Sequence, residues 1–205
     1  MIAIVDYGVG NLFSLQSSLK TVGGDPVVSG DPQVLRQADK ILLPGVGAFG
    51  DAAKKLRDCG LSEVVTEKAN QGTPLLGICL GMQLLFEKSY EYGEYEGLGL
   101  IPGAVTAMAG RIPENLKIPH IGWNGLLFPE DRERSPIFKD LSQGDHVYFV
   151  HSFSAVDCGP YVTARTEYGS LLTAAVQRDN VFGCQFHPEK SGPVGLKILD
   201  AFCRL

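Results

Sequence analysis

Several features that would indicate a nucleic-acid or membrane protein are missing from this sequence. Its 205 residues contain 18 Lys and Arg against 23 Asp and Glu, a net charge of −5. There is therefore no overall positive field to hold a polyanion or an anionic membrane surface. No uncharged apolar run approaches the roughly 20 residues that a membrane-spanning helix needs, and the first residues lack the pattern of a signal peptide. We expect a cytoplasmic protein that binds neither nucleic acid nor membrane.

Cysteine is present in a number and a pattern that exclude two common structural uses. The five cysteines are an odd number, and they include no Cys-x-x-Cys segment and no accompanying pair of histidines. Neither a disulfide framework nor a zinc site is predicted from such a pattern. We therefore expect reduced thiols and no metal.

The composition and length are those of one globular domain covering residues 1–205. Hydrophobic residues make up 44% and charged residues 20%, an ordinary balance for a folded domain. Up to about residue 90, strand-like runs alternate with helical patterns, which is typical of a parallel sheet with helices on its faces. From Gly97 onward, alternating strands joined by turns predict an antiparallel layer. The expected architecture is α/β, with a central, mostly parallel sheet.

The periodicity also predicts where the individual elements lie. Strands are predicted over 2–5, 26–29, 40–43, 74–78, 104–108, 146–150, 161–166, 174–178 and 181–186. Helices are predicted after Asn11, at 31–32, and over 51–58, 62–70, 80–88 and 193–204.

Cys79 lies where a buried strand is expected to turn sharply into a helix. It is the centre of Gly77-Ile78-Cys79-Leu80-Gly81, the nucleophile-elbow pattern with Cys in place of Ser. At such a turn a Cβ on the flanking residues would clash, and the nucleophile is held in a strained conformation. The N–H groups at the helix start favour a thiolate, and the N–H of Leu80 stays free for an oxyanion. A buried cysteine packed between glycines remains the alternative for this pattern alone.

A base for the thiol is predicted among the four histidines. His187 follows a predicted strand, and Pro188 favours extended backbone at His187. Residues two apart in extended chain face the same side, so Glu189 can reach the imidazole and fix its tautomer. Cys79, His187 and Glu189 would then be nucleophile, base and orienting carboxylate. A polar loop after a strand is the alternative for the His-Pro-Glu segment.

A second oxyanion donor is expected from the glycine-rich loop that follows the third strand. In residues 44–50, the backbone amides around Gly45, Val46 and Gly47 are unhindered and can approach a ligand closely. The loop is a poor phosphate cradle, because no Lys-Ser/Thr follows and an acidic partner about 20 residues on is missing. Nucleotide binding is therefore not favoured.

Two of these segments together resemble the signatures of the class I, triad-type glutamine amidotransferases. They are residues 77–83 and 185–189, in that family's order and separation. Within the family, the segments 6–11, 43–49, 118–124 and 147–153 resemble the glutaminase subunits of imidazole glycerol phosphate synthase, an enzyme of histidine biosynthesis. The resemblance covers nearly the whole chain and implies the family's flavodoxin-like fold.

The resemblance implies a glutaminase. Cys79 would attack the side-chain amide of glutamine, His187 would protonate the leaving ammonia and then activate water, and Glu189 would orient His187. No cofactor is implied. The residues implied to bind the oxyanion or the substrate are Gly45, Val46, Gly47, Leu80, Gln83, Ser152 and Phe153.

The ammonia acceptor is expected on another chain, because 205 residues leave no room for a second domain of ordinary size. The resemblance implies a (β/α)₈-barrel cyclase subunit that uses the ammonia to make imidazole glycerol phosphate and aminoimidazole carboxamide ribotide. Trp123, the only Trp, stands between Gly and Asn and not among apolar residues, which suits an interface anchor. A partly buried Trp under a loop is the alternative. The expected interface residues are Asn11, His120, Trp123 and Asn124.

Two other interpretations stay open. The glutaminase of another amidotransferase, such as the pyridoxal phosphate synthase type, would share the triad but not the segments 122–124 and 148–152. A non-catalytic regulatory subunit on the same fold would be expected to have lost part of the triad, and here all three residues are present.

Overall fold

A computed structural model describes residues 1–205. The strands are β1 (Ile2–Val5), β2 (Pro26–Ser29), β3 (Lys40–Gly45), β4 (Leu75–Cys79), β5 (Phe86–Ser89), β6 (Tyr95–Glu96), β7 (Ile101–Ala107), β8 (His120–Gly125), β9 (His146–His151), β10 (Phe153–Val156), β11 (Val162–Glu167), β12 (Leu171–Arg178) and β13 (Val181–Cys184). The α-helices are α1 (Leu12–Thr21), α2 (Pro32–Arg36), α3 (Phe49–Asp58), α4 (Leu61–Asn70), α5 (Leu80–Leu84) and α6 (Gly192–Cys203). Short 3₁₀ helices cover Pro136–Phe138, Gly159–Tyr161 and Pro188–Lys190.

The central sheet has seven strands in the order β11-β12-β13-β4-β3-β1-β2. The strands from β13 to β2 run parallel, whereas β12 and β11 are antiparallel to their neighbours. β4 lies in the middle and every one of its residues is buried, as expected for a strand that is apolar on both faces. The predicted α/β architecture with a mostly parallel central sheet is confirmed.

Helices cover both faces of this sheet because side chains alternate along each strand. Ala3 and Val5 of β1 pack in the core formed with α2, α3 and α4, whereas Ile2 and Ile4 pack on the opposite side with α1 and α6. None of the helices has the length and apolarity to cross a lipid bilayer. The two cores cover the faces of the sheet and leave the carboxyl ends of its strands to the loops.

The antiparallel strands that the pattern predicts for the second half of the chain are distributed over three sheets. β11 and β12 extend the central sheet, β10-β7-β5-β6 form a separate four-stranded sheet, and β8 and β9 form a two-stranded one. β5 and β7 even pair in parallel. Alternation along a strand determines which side chains share a face, but it does not determine which strand becomes the neighbour.

The helix predicted over 80–88 is wrong beyond residue 84. α5 ends at Leu84, and β5 begins at Phe86. Phe86 is fully buried and pairs with Ile101 of β7, so a tertiary pairing overrides the local preference for helix. The sequence pattern also did not predict β8 and β10.

Candidate active site

The carboxyl ends of three neighbouring parallel strands meet at one edge of the central sheet. β4 ends in Cys79, β3 ends in Gly45 directly opposite Cys79 in register, and β13 leads into His187. Open α/β sheets bind their ligands at this edge. The order β13-β4-β3 therefore brings together the predicted base, nucleophile and glycine-rich loop.

Cys79 has the strained backbone that the glycine spacing predicts. Its φ of 55° and ψ of −112° lie in a region that residues other than glycine rarely occupy. The flanking glycines are required by close backbone approach: a Cβ on Gly81 would overlap the Leu43 carbonyl oxygen, and a Cβ on Gly77 would lie 2.7 Å from the Gly81 oxygen. Strand and helix thus pack tightly enough to hold the thiol at the edge of the sheet.

His187 and Glu189 form a buried pair beside this thiol. His187 Nδ1 lies 2.8 Å from Glu189 Oε1, and both side chains are only 3% exposed. Since a carboxylate can only accept, Nδ1–H is the donor and the Glu189 carboxylate fixes the tautomer. His187 Nε2 makes no hydrogen bond within the chain, and His187 lines the same cleft as Cys79. The imidazole is therefore oriented on one side and free to exchange a proton on the other.

The surroundings of His187 favour its charged form. Burial by itself lowers the pKa of His187, but the interactions of the ring with the Cys79 thiol and the Glu189 carboxylate outweigh burial and raise that pKa to about 9. An imidazolium beside Cys79 stabilises a thiolate and can protonate a leaving amine. Burial raises the pKa of the Cys158 and Cys184 thiols, which keeps those thiols protonated and poorly nucleophilic.

A cleft of about 410 Å³ surrounds the thiol, a size that suits a small polar metabolite. Of the residues expected to bind oxyanion or substrate, Gly45 alone is absent from the lining, and it lies behind the loop against Tyr7. The others line the cleft: Val46, Gly47, Leu80, Gln83, Ser152 and Phe153. A second cleft of about 460 Å³ between α3 and α4 contains neither cysteine nor histidine, so it lacks comparable chemistry.

The cleft also contains residues that the sequence pattern did not indicate: Glu91, Tyr92, Pro119, Val150, His151 and Lys190. Glu91 is only 8% exposed, and its carboxylate accepts a hydrogen bond of 2.8 Å from the N–H of Phe49. Burial raises the pKa of Glu91, and the Phe49 N–H opposes that rise. No motif accompanies Glu91, so only the folded chain reveals its place in the cleft.

Two buried amides tie the walls of the cleft together. Gln83 Nε2 donates to Gln185 Oε1 at 2.9 Å and to the Phe153 carbonyl at 3.3 Å. Gln185 is fully buried, and its Nε2 lies 3.8 Å from Cys79 Sγ. These contacts connect α5, the segment after β13 and the start of β10 around the thiol.

Trp123 lies at the surface and is connected to the cleft through Tyr148 and Lys190. It is 53% exposed, and its ring centroid is 5.9 Å from that of Tyr148. Lys190 Nζ lies 6.0 Å from the Tyr148 ring and lines the cleft. A partner that contacts Trp123 would therefore lie close to the mouth of the cleft.

The other expected interface residues divide into two groups. Asn11 and Asn124 are half-buried, and Asn11 caps α1 by accepting from the Ser14 N–H. His120 does not fit the expected interface, because its side chain is fully buried. In this conformation the ring of His120 cannot contact a partner directly.

This geometry defines a class of protein: an α/β enzyme that breaks amide bonds with a cysteine nucleophile, assisted by a histidine that a carboxylate orients. The particular family follows from comparison with known proteins. The chain belongs to the class-I glutamine amidotransferase family, whose model matches residues 3–204.

Relatives of high identity match the chain over nearly its whole length. It is 50% identical to the "Imidazole glycerol phosphate synthase subunit HisH" of Sulfurimonas denitrificans, over 100% of this chain and 98% of the relative. Proteins of the same name from Aquifex aeolicus and Carboxydothermus hydrogenoformans are 48% and 51% identical, covering 98% and 97% of the chain and 95% and 96% of the relatives.

Solved structures of lower identity show the same fold. A crystal structure of a glutamine amidotransferase superimposes with a TM-score of 0.75 at 19% identity, over 100% of this chain and 99% of that one. The structure of PurLQS from Thermotoga maritima gives a TM-score of 0.74 at 22% identity, over 99% and 97%.

Proposed function

We propose that the chain hydrolyses glutamine to glutamate and ammonia and passes the ammonia to a separate cyclase subunit, which makes imidazole glycerol phosphate and aminoimidazole carboxamide ribotide in histidine biosynthesis. The observation that carries the proposal is that Cys79 and His187 line one cleft and that Glu189 orients the His187 ring. The name shared by the relatives supports histidine biosynthesis over the pyridoxal phosphate synthase alternative.

The first half of the reaction transfers the acyl group to Cys79. The thiolate attacks the carbon of the glutamine side-chain amide, and the N–H groups of Leu80, Val46 and Gly47 stabilise the oxygen that becomes negative. The His187 imidazolium donates its Nε2 proton to the amide nitrogen, the C–N bond breaks, and ammonia leaves. A thioester on Cys79 and a neutral His187 remain.

The second half releases glutamate. His187 Nε2 takes a proton from water, and the water oxygen attacks the thioester carbon. The tetrahedral intermediate collapses with loss of the Cys79 thiolate, which restores the ion pair with the His187 imidazolium. Glu189 holds the ring in one orientation through both proton transfers.

The cleft also suits the zwitterionic head of glutamine. The Glu91 carboxylate can accept from the substrate ammonium group, while the backbone of Ser152 and Phe153 and the amide of Gln83 offer further polar partners in the same cleft. A buried carboxylate that pairs with an ammonium ion gives charge-assisted hydrogen bonds. Glutamine analogues that lack the α-ammonium group should therefore be poor substrates.

We propose that the partner is a (β/α)₈ barrel and that it covers the carboxyl edge of the central sheet, with Trp123 as an anchor and Asn11 and Asn124 as polar contacts. The exposed apolar residues Ile121 and Trp123 of β8 support this surface, because exposed aromatic residues are enriched in interface hot spots. We further propose that residues 1–205 act as one amidotransferase domain in the cytoplasm, where the five free thiols would stay reduced.

The proposal is tested with Cys79→Ala in complex with the cyclase subunit. Glutamine-dependent product formation should vanish, whereas added ammonium salt at alkaline pH should still support synthesis, because the cyclase chemistry needs only free ammonia. Analytical ultracentrifugation checks that the complex assembles.

If the assembled variant loses both activities, this chain takes part in the acceptor chemistry and the ammonia-transfer proposal is wrong. Complementation of a histidine-requiring strain by the wild-type gene tests the pathway separately. Failure of complementation by a well-expressed chain together with its cyclase subunit would reject histidine biosynthesis.

A further inference from the structure

A pair of buried histidines connects the cleft with the exposed strand β8. His151 ends β9 and lines the cleft, and His120 begins β8 opposite it in register. His120 Nδ1 lies 3.1 Å from His151 Nε2, and the side chains are 0% and 6% exposed. The reaction steps derived above use neither ring.

On the cleft side, His151 contacts a backbone carbonyl. His151 Nδ1 lies 2.8 Å from the Phe153 carbonyl oxygen. The same oxygen accepts from Gln83 Nε2 at 3.3 Å. The position of His151 therefore affects Phe153 and Gln83, two of the residues that are proposed to bind the amino-acid head of glutamine.

On the surface side, His120 contacts the side-chain amide of Asn124. His120 Nε2 lies 2.7 Å from Asn124 Oδ1, and Asn124 Nδ2 donates to the Glu167 carbonyl at 3.0 Å. The ring of His120 is stacked between Tyr168, at 4.0 Å between centroids, and Phe149, at 5.0 Å. This packing holds the ring nitrogens in line with their partners.

The protons in this chain of contacts can be counted. The Phe153 carbonyl and Asn124 Oδ1 only accept, so each needs a proton on the ring nitrogen facing it, and the contact between His120 and His151 needs one more. Three protons are required, and two neutral imidazoles carry two. One contact must therefore lack its proton unless the pair is charged.

A charged pair is disfavoured at neutral pH. Burial lowers the pKa of His151 to about 4 and also lowers the pKa of His120. Charge repulsion from His120 and from His187 lowers the pKa of His151 further. The rings stacked on His120 are Phe149 and Tyr168, and the hydroxyl of Tyr168 is turned away to the Lys117 carbonyl.

In a neutral pair that keeps a proton between the two rings, the orientation of one amide determines where both protons lie. With Oδ1 of Asn124 on His120, both rings carry their proton on Nε2, and His151 Nδ1 meets the Phe153 carbonyl without a proton. With the amide turned over, Nδ2 donates to His120, both rings carry their proton on Nδ1, and His151 donates to Phe153. The second arrangement leaves the Glu167 carbonyl without its donor.

We propose that His151 is a positioning residue for the glutamine site, and that the Asn124 amide, acting through His120, determines whether His151 holds the Phe153 carbonyl. Asn124 is half-buried and follows the exposed Trp123 in β8. A partner group that donates to the Glu167 carbonyl frees the amide to turn and strengthens the cleft wall. The kinetic part of this inference rests on the proposed function.

The first test reads the His151 tautomer by ¹⁵N NMR in the complex with the cyclase subunit, with histidine labelled and at pH 8.5. The four histidines are assigned by single substitution. Asn124→Asp places only acceptors next to His120 and should give the Nε2–H form of His151. Asn124→Ala removes the acceptor and should give the Nδ1–H form.

The matched control repeats both substitutions in a His120→Phe background. Phenylalanine keeps an aromatic ring between Tyr168 and Phe149 but has no ring nitrogen to pass on the orientation of the amide. The His151 tautomer should then be the same with Ala or Asp at position 124. A purely structural effect of position 124 would persist in this background.

The second readout is the KM for glutamine. Loss of one neutral hydrogen bond at the cleft wall corresponds to a KM about fivefold higher in Asn124→Asp than in Asn124→Ala, with kcat changed less than twofold. This difference should disappear in the His120→Phe background. Analytical ultracentrifugation of each variant with the cyclase subunit checks that folding and assembly are intact.

Identical His151 tautomers in the two variants would overturn the proposal. An imidazolium pair at pH 8.5 would overturn it as well, because every contact would then hold a proton in both variants. A KM difference that survives without His120 would assign the effect to another route. If glutamine hydrolysis itself were absent, the proposed function would fail while the NMR readout would still decide the proton arrangement.

Discussion

Replacing Glu189 with Gln removes a buried charge while keeping the shape of the side chain. In the wild type the pKa of His187 is about 9, against an ordinary value of 6.5. This rise of about 2.5 in the pKa of His187 corresponds to about 3 kcal/mol in favour of the charged ring. Cys79 and Glu189 together provide this preference, and burial opposes it. Because Glu189 is 3% exposed, solvent screens little of its share. The variant should therefore hold a smaller fraction of His187 in the charged form at pH 7.5 than the wild type does.

The sign of the effect on stability follows from proton uptake. His187 has a higher pKa in the folded chain than in the unfolded chain, so folding binds a proton between pH 6.5 and about 9. The contribution of the imidazolium to the free energy of unfolding is full below pH 6.5 and is lost as the pH rises through 9. Cys79→Ala should remove the share of this decline that belongs to the thiol, and Glu189→Gln should remove the share that belongs to the carboxylate.

Two assays measure the change. Urea unfolding at pH 6 and pH 9.5 gives the pH dependence of stability, and the rate of iodoacetamide alkylation reports the thiolate of Cys79. Because Cys59 is exposed, alkylation is measured in a Cys59→Ser background. We expect alkylation of Cys79 at pH 7 to slow by about tenfold or more in Glu189→Gln, the equivalent of about 1.4 kcal/mol. An unchanged rate and an unchanged stability profile would refute the role of the Glu189 charge.

The remaining predictions concern packing, the amide contacts and the partner surface. Gly81→Ala should destabilise the fold by about 3 kcal/mol or more, because its Cβ would overlap the Leu43 carbonyl, whereas Gly159→Ala, with open space around the new Cβ, should change the urea midpoint little. Gln185→Leu should lower kcat/KM for glutamine by about tenfold, because a buried amide loses its partner; wild-type kinetics would contradict this. Trp123→Ala should weaken binding of the cyclase subunit by about 2 kcal/mol in calorimetry, and an unchanged Kd would leave it as a packing residue.

The sequence by itself predicts the local geometry at Cys79 and at the His187–Glu189 pair, because the reasons for that geometry are local. The elbow at Cys79 depends on glycines two residues to either side, and the orientation of His187 depends on Pro188 and on Glu189 two residues further on. The parallel half of the sheet follows from the alternation of apolar strands and amphipathic helices. Each of these inferences needs only residues that are neighbours along the chain.

Features that depend on contacts between residues far apart in the sequence became visible only in the tertiary structure. Glu91 enters the cleft because its carboxylate caps the Phe49 N–H from another part of the chain, and no local pattern marks that contact. Phe86 becomes strand instead of helix because it pairs with β7, and His120, expected at a surface, is buried because Tyr168 and Phe149 enclose it. Local pattern specifies which face of an element is apolar, whereas the choice of neighbour depends on packing the whole chain at once.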